Sequence, residues 1–275
     1  MPDTQASRDH GLIYDIGLHR GDDTEFYLKK GFRVIAIEAN PRLIEHARTR
    51  FATQLASGQL TLVHAAMASF KGEVEFYVNL DKDDWSSMDP AYGARMGTRW
   101  EKIRVPAMPF AELLDRHSVP HYIKCDIEGG DIDVLKSMLR SGVRPRYFSV
   151  EAHDLSYYAF LCALGYTRFK LINQNLNWAT KLPSPALEGE GVEHVFSGDC
   201  SGPFGKEALG EWQPLEEVLQ AQLAIGTLGK FPWMSNAWYD IHARLPEPGD
   251  DAKAAAGEKS DGQFAHADPW ALMKT

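Results

Sequence analysis

The sequence predicts an α/β fold: a doubly wound, mostly parallel seven-stranded sheet with helices on both faces. Three observations predict it. Short apolar runs alternate with helical patterns from residue 11 to about 171. The runs include VIAI within Arg33–Glu38, continuous in the manner of strands buried on both faces. Several runs close on a glycine or an acid, at the carboxyl ends where open parallel sheets bind ligands.

In order, Leu12–Ile16 is the first strand, and Asp22–Lys30 is a helix ended by Gly31. Arg33–Glu38 is the second strand. Asn40 caps the next helix and Pro41 takes its first position, with Leu43, Ala47, Phe51 and Leu55 along one face. Leu60–His64 is the third strand. Glu73–Val78 alternates after the Lys71-Gly72 turn and reads as a hairpin strand, while Asp81–Arg99 reads as a loop. A short helix over Phe110–His117 precedes the fourth parallel strand, Tyr122–Asp126. Asp131–Arg140 is a helix with Leu135, Met138 and Leu139 facing in. Tyr147–Glu151, a helix to Leu164 and a strand over Tyr166–Ile172 follow. Residues 173–235 are rich in Gly, Pro, Asn and Trp, with Glu211–Leu228 partly helical. A structureless loop of that length does not suit a compact domain, so an insertion with some structure that covers a site is expected. Trp238–Leu245 returns as a last strand. The domain then spans residues 1–245, and 246–275 form a disordered tail.

The 275 residues suffice for a full core without staples, and 44% are hydrophobic. Net charge is -9, of which the tail supplies -3, a balance that excludes a general nucleic-acid surface. No apolar run approaches the ~20 residues of a membrane span. Met1–His10 lacks a signal-peptide core, so a cytoplasmic protein is expected. Cys125, Cys162 and Cys200 form no CxxC pair and read as reduced thiols. His117 and His121 are separated by Pro120, which argues against a helical metal pair.

The chemistry lies at the strand ends. Asp15-Ile16-Gly17-Leu18-His19-Arg20-Gly21 follows the first strand. Gly17 and Gly21 permit a tight turn and close backbone approach on either side of Leu18. The next helix presents free N–H groups, with Thr24 in its first turn, and Asp15 is placed to accept from a cationic amine. Asp22 and Asp23 put negative charge where a pyrophosphate would sit. Glu38 ends the second strand, 21 residues after Gly17, where an acid takes the ribose hydroxyls of an adenosine. Ala39 and Asn40 follow beside the adenine.

DIGLHRGDDT, VIAIEANP, HAAMASFKGEVEFY, YIKCDIEGGDIDVL, FSVEAH and LGY fall in the order and spacing of the FkbM-type methyltransferases, which the chain resembles over about residues 11–171. The KCDIEGGDIDVL segment is the most specific piece. The family commonly has DVGANxG where this chain has DIGLHRG, so His19 and Arg20 alter the entrance to the turn. It often has GAE where Gly129-Gly130-Asp131 stands, and Asp131 keeps the acid. The resemblance implies a Rossmann-like class I enzyme dependent on S-adenosyl-L-methionine, most often an O-methyltransferase. It implies that Gly17 and Gly21 frame the methionine end, Glu38 holds the ribose, Ala66 and Met67 line the adenine pocket, and Asp126 lies beside the sulfonium.

Methyl transfer needs an aligned nucleophile and a group to take its proton. Asp126, Glu128 and His153 are the candidates, with Lys124 pairing a carboxylate or orienting the acceptor. The expected acceptor is a small molecule or sugar hydroxyl, with no nucleic-acid or membrane partner, and N-methylation stays open. No metal ligand set is expected, although Asp126 and Glu151 at adjacent strand ends leave a metal-assisted variant open. Trp85-Ser86-Ser87, the Ser197–Gly205 stretch, and Trp178, Trp212 and Trp233 are candidate acceptor-site walls. Two other readings stand beside this one. A nicotinamide-dependent oxidoreductase is disfavoured because His19 breaks the GxGxxG spacing. A non-catalytic cofactor-binding protein is disfavoured by Asp126 and Glu128.

Overall fold

A computed structural model of the chain describes residues 8–198, 200–228 and 237–250. Its strands are β1 (Asp9–Ile16), β2 (Arg33–Glu38), β3 (Leu60–His64), β4 (Ala66–Met67), β5 (Gly72–Asn79), β6 (Trp100–Met108), β7 (Pro120–Cys125), β8 (Tyr147–Glu151), β9 (Arg168–Asn173) and β10 (Tyr239–Arg244). Its helices are α1 (Asp22–Lys29), α2 (Pro41–Arg50), α3 (Ala52–Ser57), α4 (Pro90–Gly93), α5 (Phe110–Arg116), α6 (Asp131–Ser141), α7 (Ser156–Ala163) and α8 (Leu215–Leu228).

Seven strands form the main sheet in the order β3-β2-β1-β7-β8-β10-β9. The first five in that order are parallel, and β10 runs antiparallel between β8 and β9. Alternate residues of β1 point to opposite faces. Leu12, Tyr14 and Ile16 join Leu113, Leu135 and Leu161 from α5, α6 and α7 in one core. Ile13 joins Phe26 and Tyr27 of α1 in the other. In α6, Val134, Leu135 and Met138 are buried, but Leu139 is 41% exposed and does not face in. A second sheet has the order β4-β6-β5. The sequence reading missed β6, because Pro106 interrupts what is otherwise an alternating strand.

Within the 173–235 insertion, α8 packs on the α5–α7 core through Leu215, Val218 and Leu219, while Leu182, Val192 and Trp212 pack on the α1 face. Phe196, Cys200 and Phe204 fill that core, and Phe204 stacks on Tyr122 at 4.5 Å. Lys30 and Glu207 form a buried ion pair at 2.8 Å across this contact. Trp212 stacks on Tyr147 at 6.0 Å and anchors the insertion, while Trp178 is exposed. Trp233 and Asp199 lie outside the described residues. So does the expected disordered tail from residue 251 onward; before it, Asp250 pairs with Arg244 at 2.7 Å and Glu247 with Arg146. No described helix is long and apolar enough to cross a membrane.

Asn40 caps α2 as its sequence position requires: its side chain accepts from the Arg42 N–H at 3.0 Å, with Pro41 next in line. Asn40→Ala should cost about 1 kcal/mol and Asn40→Gly a few tenths, read as lower urea midpoints. Equal stability of all three proteins would show that the cap contributes nothing.

Candidate active site

The strand order reverses between β1 and β7, and at such a switch point the connections leave in opposite directions and open a crevice. Here the carboxyl ends of β1, β2, β7 and β8 open onto a cleft of about 560 Å³. Its lining includes Gly17, Leu18, Gly21, Glu38, Ala39, Ala66, Met67, Lys124, Asp126, Glu128, Glu151 and His153, which brings together most of the residues singled out in the sequence.

At one end the turn after β1 is bent by Gly17 (φ +94°) and Gly21 (φ +88°). A Cβ on Gly17 would collide with the Asp126 carbonyl oxygen, so only glycine lets the β1 and β7 turns lie against each other. His19 also adopts a left-handed backbone (φ +52°), and its N–H donates to Glu38 Oε2 at 2.9 Å. The Asn40 N–H donates to Glu38 Oε1 at 2.7 Å. Two backbone donors thus aim the Glu38 carboxylate, and each oxygen keeps a lone pair for a hydroxyl. Burial raises the Glu38 carboxyl above its ordinary range, against the pull of these N–H groups. Leu18, Ala39, Leu43, Ala66, Met67 and Phe76 make the adjoining wall apolar.

Asp15 and Thr24 stand behind this wall rather than in it. Thr24 Oγ1 donates to Asp15 Oδ2 at 2.5 Å, and both residues are fully buried. Lys124 accounts for their position. Its Nζ donates to the Gly17 carbonyl at 2.6 Å and lies 3.4 Å from Asp15, 3.7 Å from Asp126 and 3.8 Å from Asp23. Burial alone would lower the Lys124 ammonium, but Asp15, Asp126, Asp23 and Asp240 hold it well above the usual lysine value. Asp23, which by sequence only opposes a pyrophosphate, also lines the cleft. Burial pushes it up to about 7, and it accepts N–H bonds from Ser201 (3.0 Å) and Gly202 (3.3 Å), which ties the insertion to α1.

The other end is built on the DIEGGD turn. Asp131, buried at the start of α6, accepts from the N–H groups of Ile127 (3.2 Å) and Gly129 (3.3 Å) and shapes the loop. Glu128 then sits at φ +48°, and Arg95 forks its carboxylate at 3.0 and 3.2 Å. His153 Nε2 lies 2.9 Å from Glu151 Oε2 and 3.9 Å from Glu128 Oε2. Burial and the Glu151 charge push Glu128 up to about 8, against Arg95. Burial opposes the charged form of His153, but the Glu151 hydrogen bond and the charges of Glu151 and Glu128 raise it to about 9. Asp126 is the more open acid, with 32% of its side chain exposed.

The cover of the cleft is residues 83–96, where Asp83, Trp85, Ser86, Met88, Arg95 and Met96 line it. Among the described residues of the insertion, Gln174 alone reaches it; Phe196, Cys200 and Phe204 lie on the α1 core, and Val218 of α8 lies on the opposite one. Asp83 fastens the cover to the turn after β1 through His19 Nε2 (3.0 Å) and Arg20 Nη2 (2.9 Å). Arg95 fastens it at the other end and lies 4.2 Å over the Trp85 ring. The segment carries no periodicity, so nothing in the sequence marks Arg95 or Asp83 as site residues.

The sequence profile of the methyltransferase FkbM domain matches residues 15–180. A methyltransferase FkbM of known structure, from Methylobacillus flagellatus KT, is 17% identical with a TM-score of 0.41, over 60% of this chain and 40% of that one. The precorrin-6y C5,15-methyltransferase of Geobacter metallireducens GS-15 is 14% identical with a TM-score of 0.40, over 87% and 82%. A probable ribosomal RNA small subunit methyltransferase A of Methanospirillum hungatei JF-1 is 42% identical over 52 residues, 19% of this chain. The chain spans 20% of that relative's length. The matched 15–180 segment carries the glycine turn, the Glu38 strand end and the DIEGGD turn together, and on that match the chain belongs to the FkbM methyltransferase family.

Proposed function

We propose that the protein transfers a methyl group from S-adenosylmethionine to a hydroxyl of a small molecule or sugar. The observation that carries this reading is one continuous cleft with Glu38 at one end and Asp126, Glu128, Glu151 and His153 at the other. The residues fit the cofactor: Glu38 keeps lone pairs for the ribose hydroxyls, and the apolar wall suits adenine.

When bound, the cofactor supplies a methyl made electrophilic by its sulfonium. The chain's own residues do the rest. Lys124 fixes the Gly17 turn, and with it the backbone on which the cofactor would rest. Asp126 is the carboxylate that accepts the hydroxyl proton as the acceptor oxygen turns nucleophilic. Glu128 and His153 orient the acceptor, and the 83–96 cover keeps water out. The acids lining the cleft, Asp22, Asp23, Asp83, Asp84 and Asp126 among them, would repel a phosphate backbone. That pattern supports a non-nucleic-acid acceptor.

Incubation with methyl-tritiated S-adenosylmethionine and a panel of sugars and hydroxylated polyketides tests the reading. Label should move to a hydroxyl of at least one member, with none on amine-only analogues or RNA; label on RNA alone would overturn it. Glu38→Ala should weaken cofactor binding by about 1.5–3 kcal/mol with the fold retained. An unchanged dissociation constant would remove Glu38 from the site.

A further inference from the structure

We propose that Glu128, Glu151 and His153 form a divalent-cation site at the acceptor end of the cleft, and that the cation selects a chelating acceptor, a hydroxyl with a second oxygen beside it. The acceptor half of this statement rests on the methyl-transfer reading; the cation half does not.

Each of the three residues offers one ligand atom, and the three atoms lie within 4.8 Å of one another. Metal–ligand bonds of about 2.0–2.2 Å place neighbouring ligand atoms about 3 Å apart. The 2.9 Å between His153 Nε2 and Glu151 Oε2 already meets that spacing, and the 3.9 Å to Glu128 Oε2 closes with a small side-chain rotation. The donor set is mixed. Two carboxylates alone would suit an ammonium equally well, but an imidazole lone pair is a ligand for a metal of the manganese or zinc kind.

The local charge balance points the same way. Asp240, 2% exposed, sits opposite Glu151 in the β8–β10 register and adds its charge to those of Glu151 and the more open Asp126. Of the cations there, Arg95 is taken by Glu128, Lys124 is shared with Asp15 and Asp23, and the imidazolium of His153 is a single charge that a metal would displace on taking its ring nitrogen. Buried carboxylates without a counter-cation are costly, and a divalent ion supplies two charges at the point where three ligands converge. The supports are rigid: Glu151 ends β8, the His153 N–H donates to the Glu151 carbonyl at 2.8 Å, and Arg95 fixes the Glu128 carboxylate while a lone pair on Oε2 stays open.

Three protein ligands leave open positions for two acceptor oxygens. The coordinated hydroxyl releases its proton to Asp126; its oxygen lone pair forms the new O–C bond as the S–C bond breaks, and that electron pair goes to sulfur.

Full-length protein stripped with EDTA is titrated with Mn2+ alone, free Mn2+ being read by electron paramagnetic resonance. One Mn2+ should bind per chain, with nitrogen modulation from one imidazole in the electron-spin-echo spectrum. Glu151→Gln and His153→Ala should each weaken Mn2+ binding at least tenfold while S-adenosylmethionine affinity, measured on the same samples, stays within about twofold. No bound Mn2+, no nitrogen modulation, or full Mn2+ affinity in both variants overturns the site. Mn2+ bound without any S-adenosylmethionine binding keeps the cation site and overturns the transfer reading. Cofactor binding without Mn2+ does the reverse.

Discussion

Lys124→Met should destabilise the fold by about 3–5 kcal/mol, the cost of stripping the cation from a buried charge network. Lys124 has 5% of its side chain exposed and lies within ion-pair distance of Asp15, Asp23 and Asp126. Its removal leaves Asp15 and Asp23 buried with no cation, and it leaves the Gly17 carbonyl without its donor. The loss depends on pH with a definite sign. Burial already raises Asp15, and it raises Asp23 from 3.8 to about 7 with Lys124 opposing the rise. The substitution pushes both higher. The folded state then binds more protons than the unfolded chain, so the deficit is least below pH 4 and grows as the pH rises through 7. Urea unfolding of wild type and variant at pH 5 and pH 8 checks this: the gap between midpoints should widen at pH 8. A constant gap would mean that Lys124 contributes packing and not charge.

Asp126→Asn should lower turnover by about 10²–10⁴-fold, the usual worth of a positioned base. Asparagine keeps the shape of the side chain and loses its basicity. The turn should survive, because the Asp126 N–H donates to the Ile16 carbonyl at 2.9 Å through the backbone alone. Cofactor affinity should change far less than rate. Equal losses in affinity and rate would instead make Asp126 an anchor for the methionine end. A small drop in melting temperature with rate intact would make it only a turn acid.

The parts of the site that the sequence disclosed are those set by local spacing. Gly17, Glu38 and Asp126 each close a buried strand, and hydrophobic period with turn chemistry places such residues. Glu128 was legible through the DIEGGD motif, although its left-handed backbone follows from Asp131 drawing the loop onto its own carboxylate. What the sequence hid depends on long-range packing. Arg95 arrives from an aperiodic segment to fork Glu128, 33 residues away. Asp83 reaches the His19 turn across 64 residues. By composition the insertion reads as a cover for the acceptor site; among its described residues Gln174 lines the cleft, while Phe196, Phe204 and the Lys30–Glu207 pair are fixed to the α1 face. Its aromatic residues fit a cleft wall or a core equally well by composition, and only the tertiary contact distinguishes the two. Asp15 and Thr24 lie on the expected turn, but their side chains point away from the cleft toward Lys124 and each other.

Isothermal titration of the purified protein with S-adenosylmethionine and with its demethylated product tests the central claim most directly. The account predicts one site per chain with roughly micromolar affinity for each, about 8 kcal/mol, lost or weakened in Glu38→Ala. No heat with either ligand, together with saturable binding of NAD, would contradict it.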